Sequence, residues 1–232
     1  SSLGTSEVIN FEGTSAVLPG TTPGATALYY NTSGGILSPW LVAQNGAPGS
    51  TENATFLTYS GTGSGSAGGA GSDAGLIAYT FSNTASTAWT SSSVQQLGSG
   101  TTTLTGATSV DALQIDDGYD GNTGALALNG NTLTFGNNTA NAQEGLILNG
   151  GTISGPGSIS FGTATGNELD IYTSLGNGTI SANISAGYIL TKFGPGTLFL
   201  TGNNSTLGGY ISLTGGALDV GYMNGMSSQT MV

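Results

Sequence analysis

The chain has 232 residues, 37% of them apolar and only 6% charged, and twelve carboxylates against one lysine give a net charge of −11. With no Arg or His and with Lys192 as the sole cation, it cannot neutralise rows of phosphates or anionic lipid heads, which argues against nucleic acid and against basic membrane attachment. It has no cysteine for disulfides or thiolate metal sites, and no apolar run approaches the roughly 18 residues of a membrane span.

The first hundred residues carry irregular strand text. NFEG from Asn10, ATALYYNTS from Ala25, ATFLTYS from Ala54, GLIAYTFS from Gly75 and STAWT from Ser86 have strand composition. Between them lie loops such as NGAPGSTEN and GTGSGSAGGAGSDAG. Residues 1–103 are therefore expected to form a β-rich N-terminal part, either early coils with long loops or a cap over the end of the following fold. Trp40 and Trp89 lie among these strands, where a packed-core role competes with stacking against a sugar. GSGSAG, Gly63 to Gly68, matches a dinucleotide-binding spelling, but no helix pattern follows to hold a pyrophosphate. GGAGSDAGL, Gly68 to Leu76, partly matches a calcium-binding nonapeptide, yet Gly75 stands at its apolar position and only one copy is present.

From Leu104 the text becomes regular, and repetition predicts the fold. LALNGNTL from Leu126 aligns with LILNGGTI from Leu146, and TLFLTG from Thr197 aligns with ALDVG from Ala217, both at an offset of 20 residues. GPG at 155–157 returns at 194–196. A fixed period with strands in register is the signature of a solenoid, in which each coil buries its inward side chains against its neighbours. Leu126, Leu128, Leu146, Leu148, Leu198, Leu200, Leu218 and Val220 are the expected inward residues, with Asn129 and Asn149 stacking as a corner ladder. Residues 104–221 are thus expected to form regular coils, followed by a tail at 222–232 that carries three Met.

DDGYDGN, Asp116 to Asn122, is the one concentration of carboxylates. Asp116, Asp120 and Asn122 offer the hard oxygen donors that Ca²⁺ prefers, although Ala127 stands where an EF-hand loop would close with Glu. The competing expectation is a solvated acidic turn, and no other cofactor is expected. Sequons at Asn31, Asn53, Asn137, Asn177, Asn183, Asn203 and Asn204 are candidate glycosylation sites if the host modifies exported proteins. Catalysis is not expected: a Ser-His-Asp arrangement is impossible without His, and sugar-cleaving β-helices generally add His, Arg or Lys to their carboxylates.

KFGPGTLFLTGNNSTLGGYISLTGGALDVG, Lys192 to Gly221, resembles the passenger-associated transport repeat, or autotransporter-associated β-strand repeat, of bacterial secreted proteins. The resemblance rests on the TKFGPGTLFLTGN opening from Thr191 to Asn203 and the GGALDVG close from Gly215 to Gly221; NSTLGG lacks the aromatic that the family usually places there. WLVAQNG, SVDALQIDDG, LTFGNN, GGTISGPGSISFG and NELDIYTSLGNGTISANIS follow in the order expected of one such unit. The resemblance implies an all-β, right-handed parallel β-helix, exported to the cell surface or beyond and without catalysis of its own, serving as stalk, adhesin or fibre. Self-association, continuation in a longer β-helix and surface glycans are the partners this leaves. The alternative is a carbohydrate-binding or carbohydrate-cleaving β-helix using Trp40, Trp89 and the loop from Asp116 to Asp120. So few charges also predict a fold indifferent to pH and salt.

Overall fold

The computed structural model describes residues 36–45, 53–60, 75–81, 85–116, 124–140, 142–204 and 209–221. They contain nineteen strands and one 3-10 turn, Ser86–Ala88. The first three strands, β1 (Val42–Asn45), β2 (Asn53–Ser60) and β3 (Gly75–Ala78), form an antiparallel sheet in the order β1-β2-β3.

All later strands pair in parallel. β4 (Val94–Leu97), β5 (Gly100–Thr103) and β6 (Thr108–Val110) each begin a different sheet. β7 (Ala112–Asp116), β8 (Gly124–Ala127) and β9 (Thr132–Phe135) then pair with them in the same order. β10 (Gln143–Asn149), β11 (Thr152–Ser154) and β12 (Ser158–Ser160) repeat the visit, as do β13 (Glu168–Thr173), β14 (Gly178–Ile180) and β15 (Asn183–Ala186). β16 (Ile189–Phe193) with β17 (Thr197–Leu200), and β18 (Tyr210–Leu213) with β19 (Ala217–Val220), extend only the first two sheets. The result is two six-stranded sheets and one four-stranded sheet, all parallel, which is consistent with a β-solenoid. The parallel sheets begin at Val94, so they take in two strands of the stretch that the sequence assigns to the N-terminal part.

Alternation explains which side chains fill the interior, because successive Cβ atoms of a strand point to opposite faces. Leu126, Leu128, Leu146, Leu148, Leu198 and Leu200 are fully buried in one core with Leu113, Ile153, Ile171 and Ile184, as expected. Leu218 and Val220 pack against that core while remaining half-buried.

The constant 20-residue period needs correction. Leu198 does pair with Leu218, but Leu126 pairs with Ile153, 27 residues on, and Leu146 pairs with Leu113 on one side and Ile171 on the other. LALNG and LILNG belong to different sheets, and the two GPG turns occupy different corners, β11 to β12 and β16 to β17. A coil with three strands and three corners needs about 25 residues, and corner length varies because loops tolerate insertion where strands do not. The spacing is already 18 residues from Val94 to Ala112 and 20 from Gly178 to Leu198, across turns that include β6 and β15 respectively, so corner length rather than the loss of a third strand sets it.

The corner ladder of Asn129 and Asn149 is also corrected. Asn129 turns the corner after β8 at φ 51°, whereas Asn149 is 1% exposed at the end of β10 and bonds elsewhere. Amide links between coils exist at other positions: Asn177 Oδ1 accepts from Thr197 N at 2.7 Å, Asn183 Oδ1 from Asn203 N at 2.8 Å, and Asn204 Oδ1 from Ile184 N at 3.2 Å. Each ties a side-chain amide to a backbone N–H 20 residues away along the chain.

The antiparallel sheet lies against the outer face of the first parallel sheet. Ile36, Ala54 and Phe56 are buried with Val94, Ala112, Ile147 and Tyr172 in a second core, so β7, β10 and β13 are covered on both faces. The approach is close enough to require glycine at 145, where a Cβ would stand 2.7 Å from the Phe56 ring and 2.9 Å from Pro39. Of the described strands in the stretch that the sequence offers as coils or an end cap, β1, β2 and β3 form a flank cover, while β4 and β5 belong to the parallel sheets.

Candidate functional site

Covering the first sheet on both faces buries polar residues that a one-sided sheet would leave in water. Asp116 ends β7 at 7% exposure. Its carboxylate accepts from Gln96 Nε2 at 2.5 Å, from Gln114 Nε2 at 2.8 and 3.0 Å, and from Asn149 Nδ2 at 2.6 Å. Asn149 also donates to Ala54 O at 2.9 Å, and its Oδ1 accepts from Ala54 N at 3.3 Å, so one amide ties the network to β2. Asp116 is thus committed to amide donors under the flank cover. Asp117, Asp120 and Asn122 lie outside the described residues, as do the GSGSAG loop, the sequon at Asn31 and the Met-containing tail. Among the described residues no three metal-ligating side chains cluster.

Two further carboxyls on the same sheet escaped the sequence argument. Glu144 is 1% exposed on β10 in register with Leu169, and Asp170 is 2% exposed on β13 in register with Gly145. Glu144 Oε2 and Asp170 Oδ2 have no hydrogen-bond partner. Burial, with Asp111 and then Asp170 nearby, pushes the Glu144 carboxyl up to about 8. Burial, with Glu168 beside it, pushes Asp170 up to about 8 as well. Both groups carry a proton at neutral pH in the folded chain, the neutral form being the one a low-dielectric site tolerates. The signal in the sequence was the strand QEGLILN, where a glutamate holds the alternation position of buried leucines.

Lys192 was the other missed residue. It falls two positions from buried Leu190 on β16, which directs it into the interior, where it is fully buried. Its Nζ donates to Phe193 O at 2.8 Å, Gly194 O at 3.0 Å and Gly215 O at 2.9 Å, matching three donors to three corner carbonyls. Burial pulls its ammonium down to about 8. As Lys192 is the only Lys or Arg, trypsin should leave the folded chain intact and cut it once after unfolding; a native digest yielding two fragments on gel electrophoresis would contradict this burial.

The remaining candidates separate. Asn137, Asn183 and Asn203 are exposed and Asn177 is half-buried, while Asn53 begins β2. Asn204 is 2% exposed and donates its amide to Gly202 O at 3.1 Å, so in the folded chain that amide is not presented to a glycan. Trp40 is 49% exposed, whereas Trp89 is 6% exposed and packs with Leu104 and Val110 in the interior core. Trp89 also borders an open cavity of about 240 Å³ between the 3-10 turn and the β5–β6 corner. Neither Trp40 nor Asp116 lines it, so the described residues do not gather the two Trp and the carboxylate in one groove. No protein-family model, curated protein or solved structure matches this chain.

Proposed function

We propose that this chain is a non-enzymatic structural or adhesive module of a bacterial cell-surface or extracellular protein, built as a right-handed parallel β-helix. The observation that carries the reading is the stack itself, with leucine and isoleucine filling the interior through successive coils and threonine, serine and asparagine on the uncovered outer faces. Such a body holds its shape by inter-coil packing and ladder hydrogen bonds, and it needs no cofactor to do so. Its work is to space, to present or to associate.

Association would use the β18–β19 end. Among the described residues these two strands pair on one side only, and Tyr210 and Leu213 are exposed there, with 49% and 38% of their surface in water. An added strand, from another copy or from a longer parent chain, would bury these side chains and complete the ladder. Each added coil advances the body by about 4.8 Å. Leu213→Lys with Tyr210→Lys, both at exposed positions, should leave the circular-dichroism spectrum unchanged and abolish concentration-dependent growth in small-angle scattering. Growth that survives both substitutions, or a wild-type chain that stays monomeric at every concentration with no longer parent, would overturn the association reading.

A further inference from the structure

We infer that the cavity beside Trp89 is a binding site for one neutral sugar ring. The inference goes beyond the structural role above and does not depend on it.

The cavity has walls from two separate stretches: Ser86 and Thr87 of the 3-10 turn on one side, and Thr105, Ala107 and Thr108 of the β5–β6 corner on the other. Thr108 Oγ1 donates to Ser86 O at 3.1 Å and pins the two walls together. Trp89 closes one side and is held from behind by the interior core, so the site is formed before any ligand arrives. At about 240 Å³ the cavity lies below the range of drug-sized pockets and is suited to a single ring.

Chemistry narrows the ligand class. Four of the lining side chains are hydroxyls, one is an indole, and no carboxylate or cation lines the cavity although the chain has twelve carboxylates. A charged ligand would be desolvated there without a counter-charge. A sugar ring instead exchanges hydroxyl hydrogen bonds at its rim while its C–H face lies on Ala107 and the indole edge.

The test uses the full chain with Trp40→Phe, which leaves Trp89 as the only indole. Glucose, galactose, N-acetylglucosamine and their methyl glycosides are titrated while Trp89 fluorescence and the Thr105 to Thr108 amide resonances are followed. The expected result is saturable binding of at least one sugar with Kd on the order of 1 mM, weakened about tenfold or more by Ala107→Glu. Should Ala107→Glu fail to fold, Thr105→Val removes one wall hydroxyl and should weaken binding several-fold. Retention by a methyl glycoside assigns the end of a glycan chain, and loss on methylation assigns a free sugar; either upholds the site. No saturable change with any of these sugars, or a saturable change that the wall substitutions leave untouched, overturns it.

Discussion

Leu148→Asp is expected to unfold most of the parallel stack. Leu148 is fully buried on β10, in register with Ile115 of β7 and Thr173 of β13, and it lies so close to β14 that a Cβ on Gly178 would stand 2.6 Å from its own. The substitution removes a packed side chain and sets an unpaired carboxylate among leucines; each effect alone costs several kcal/mol, and together they rival the 5–15 kcal/mol that separates a typical folded domain from its unfolded chain. Leu175→Asp is the matched control, because Leu175 is 48% exposed at a corner and the same chemical change there should alter stability by about 0.5 kcal/mol or less. Urea titration followed by circular dichroism reads both. A Leu148→Asp midpoint close to wild type would show that the leucine does not occupy a closed interior.

The second large effect concerns pH and corrects the indifference that so few charges predict. The carboxyls of Glu144 and Asp170 rise from ordinary values of 4.5 and 3.8 to about 8 on folding. Between those limits the folded chain holds two protons that the unfolded chain has released. Stability therefore falls as pH rises from about 4 to 8, at up to about 1.4 kcal/mol per pH unit for each group. Lys192 acts in the opposite sense over a higher range. Its ammonium is pulled from 10.5 to about 8, so between those values the unfolded chain binds the extra proton and stability rises with pH. Thermal melts from pH 4 to 8 should show a declining Tm. Glu144→Gln and Asp170→Asn keep the shape without the ionisation, so each should flatten the decline and raise Tm near pH 8 while changing little near pH 4. A Tm that rises from pH 4 to 8, or a decline that both substitutions leave unaltered, would refute the burial argument.

Period-two spacing of Leu and Ile between Gly- and Asn-rich corners is a local property, and it sufficed to predict an all-β chain and all eight inward positions from Leu126 to Val220. Register was legible only at the C-terminal end, where Leu198 meets Leu218 and corners are short. Upstream, the likeness of LALNG to LILNG misled, because two strands of similar composition serve different sheets and corner lengths leave no mark in the strands themselves.

What only the tertiary structure decided is what each polar residue faces. Asp116 reads as the start of an acidic loop and is instead the acceptor for Gln96, Gln114 and Asn149; Asn204 reads as an exposed sequon and is buried against Ile184. Glu144, Asp170 and Lys192 look like ordinary strand charges until the chain returns a coil later, or the antiparallel sheet closes over the flank, and removes their water. Alternation assigns a side chain to one face of its strand, which the sequence by itself determines. Whether that face meets solvent depends on strands tens of residues away, and desolvation by those strands turns a spelled charge into a buried proton or a triply bonded ammonium.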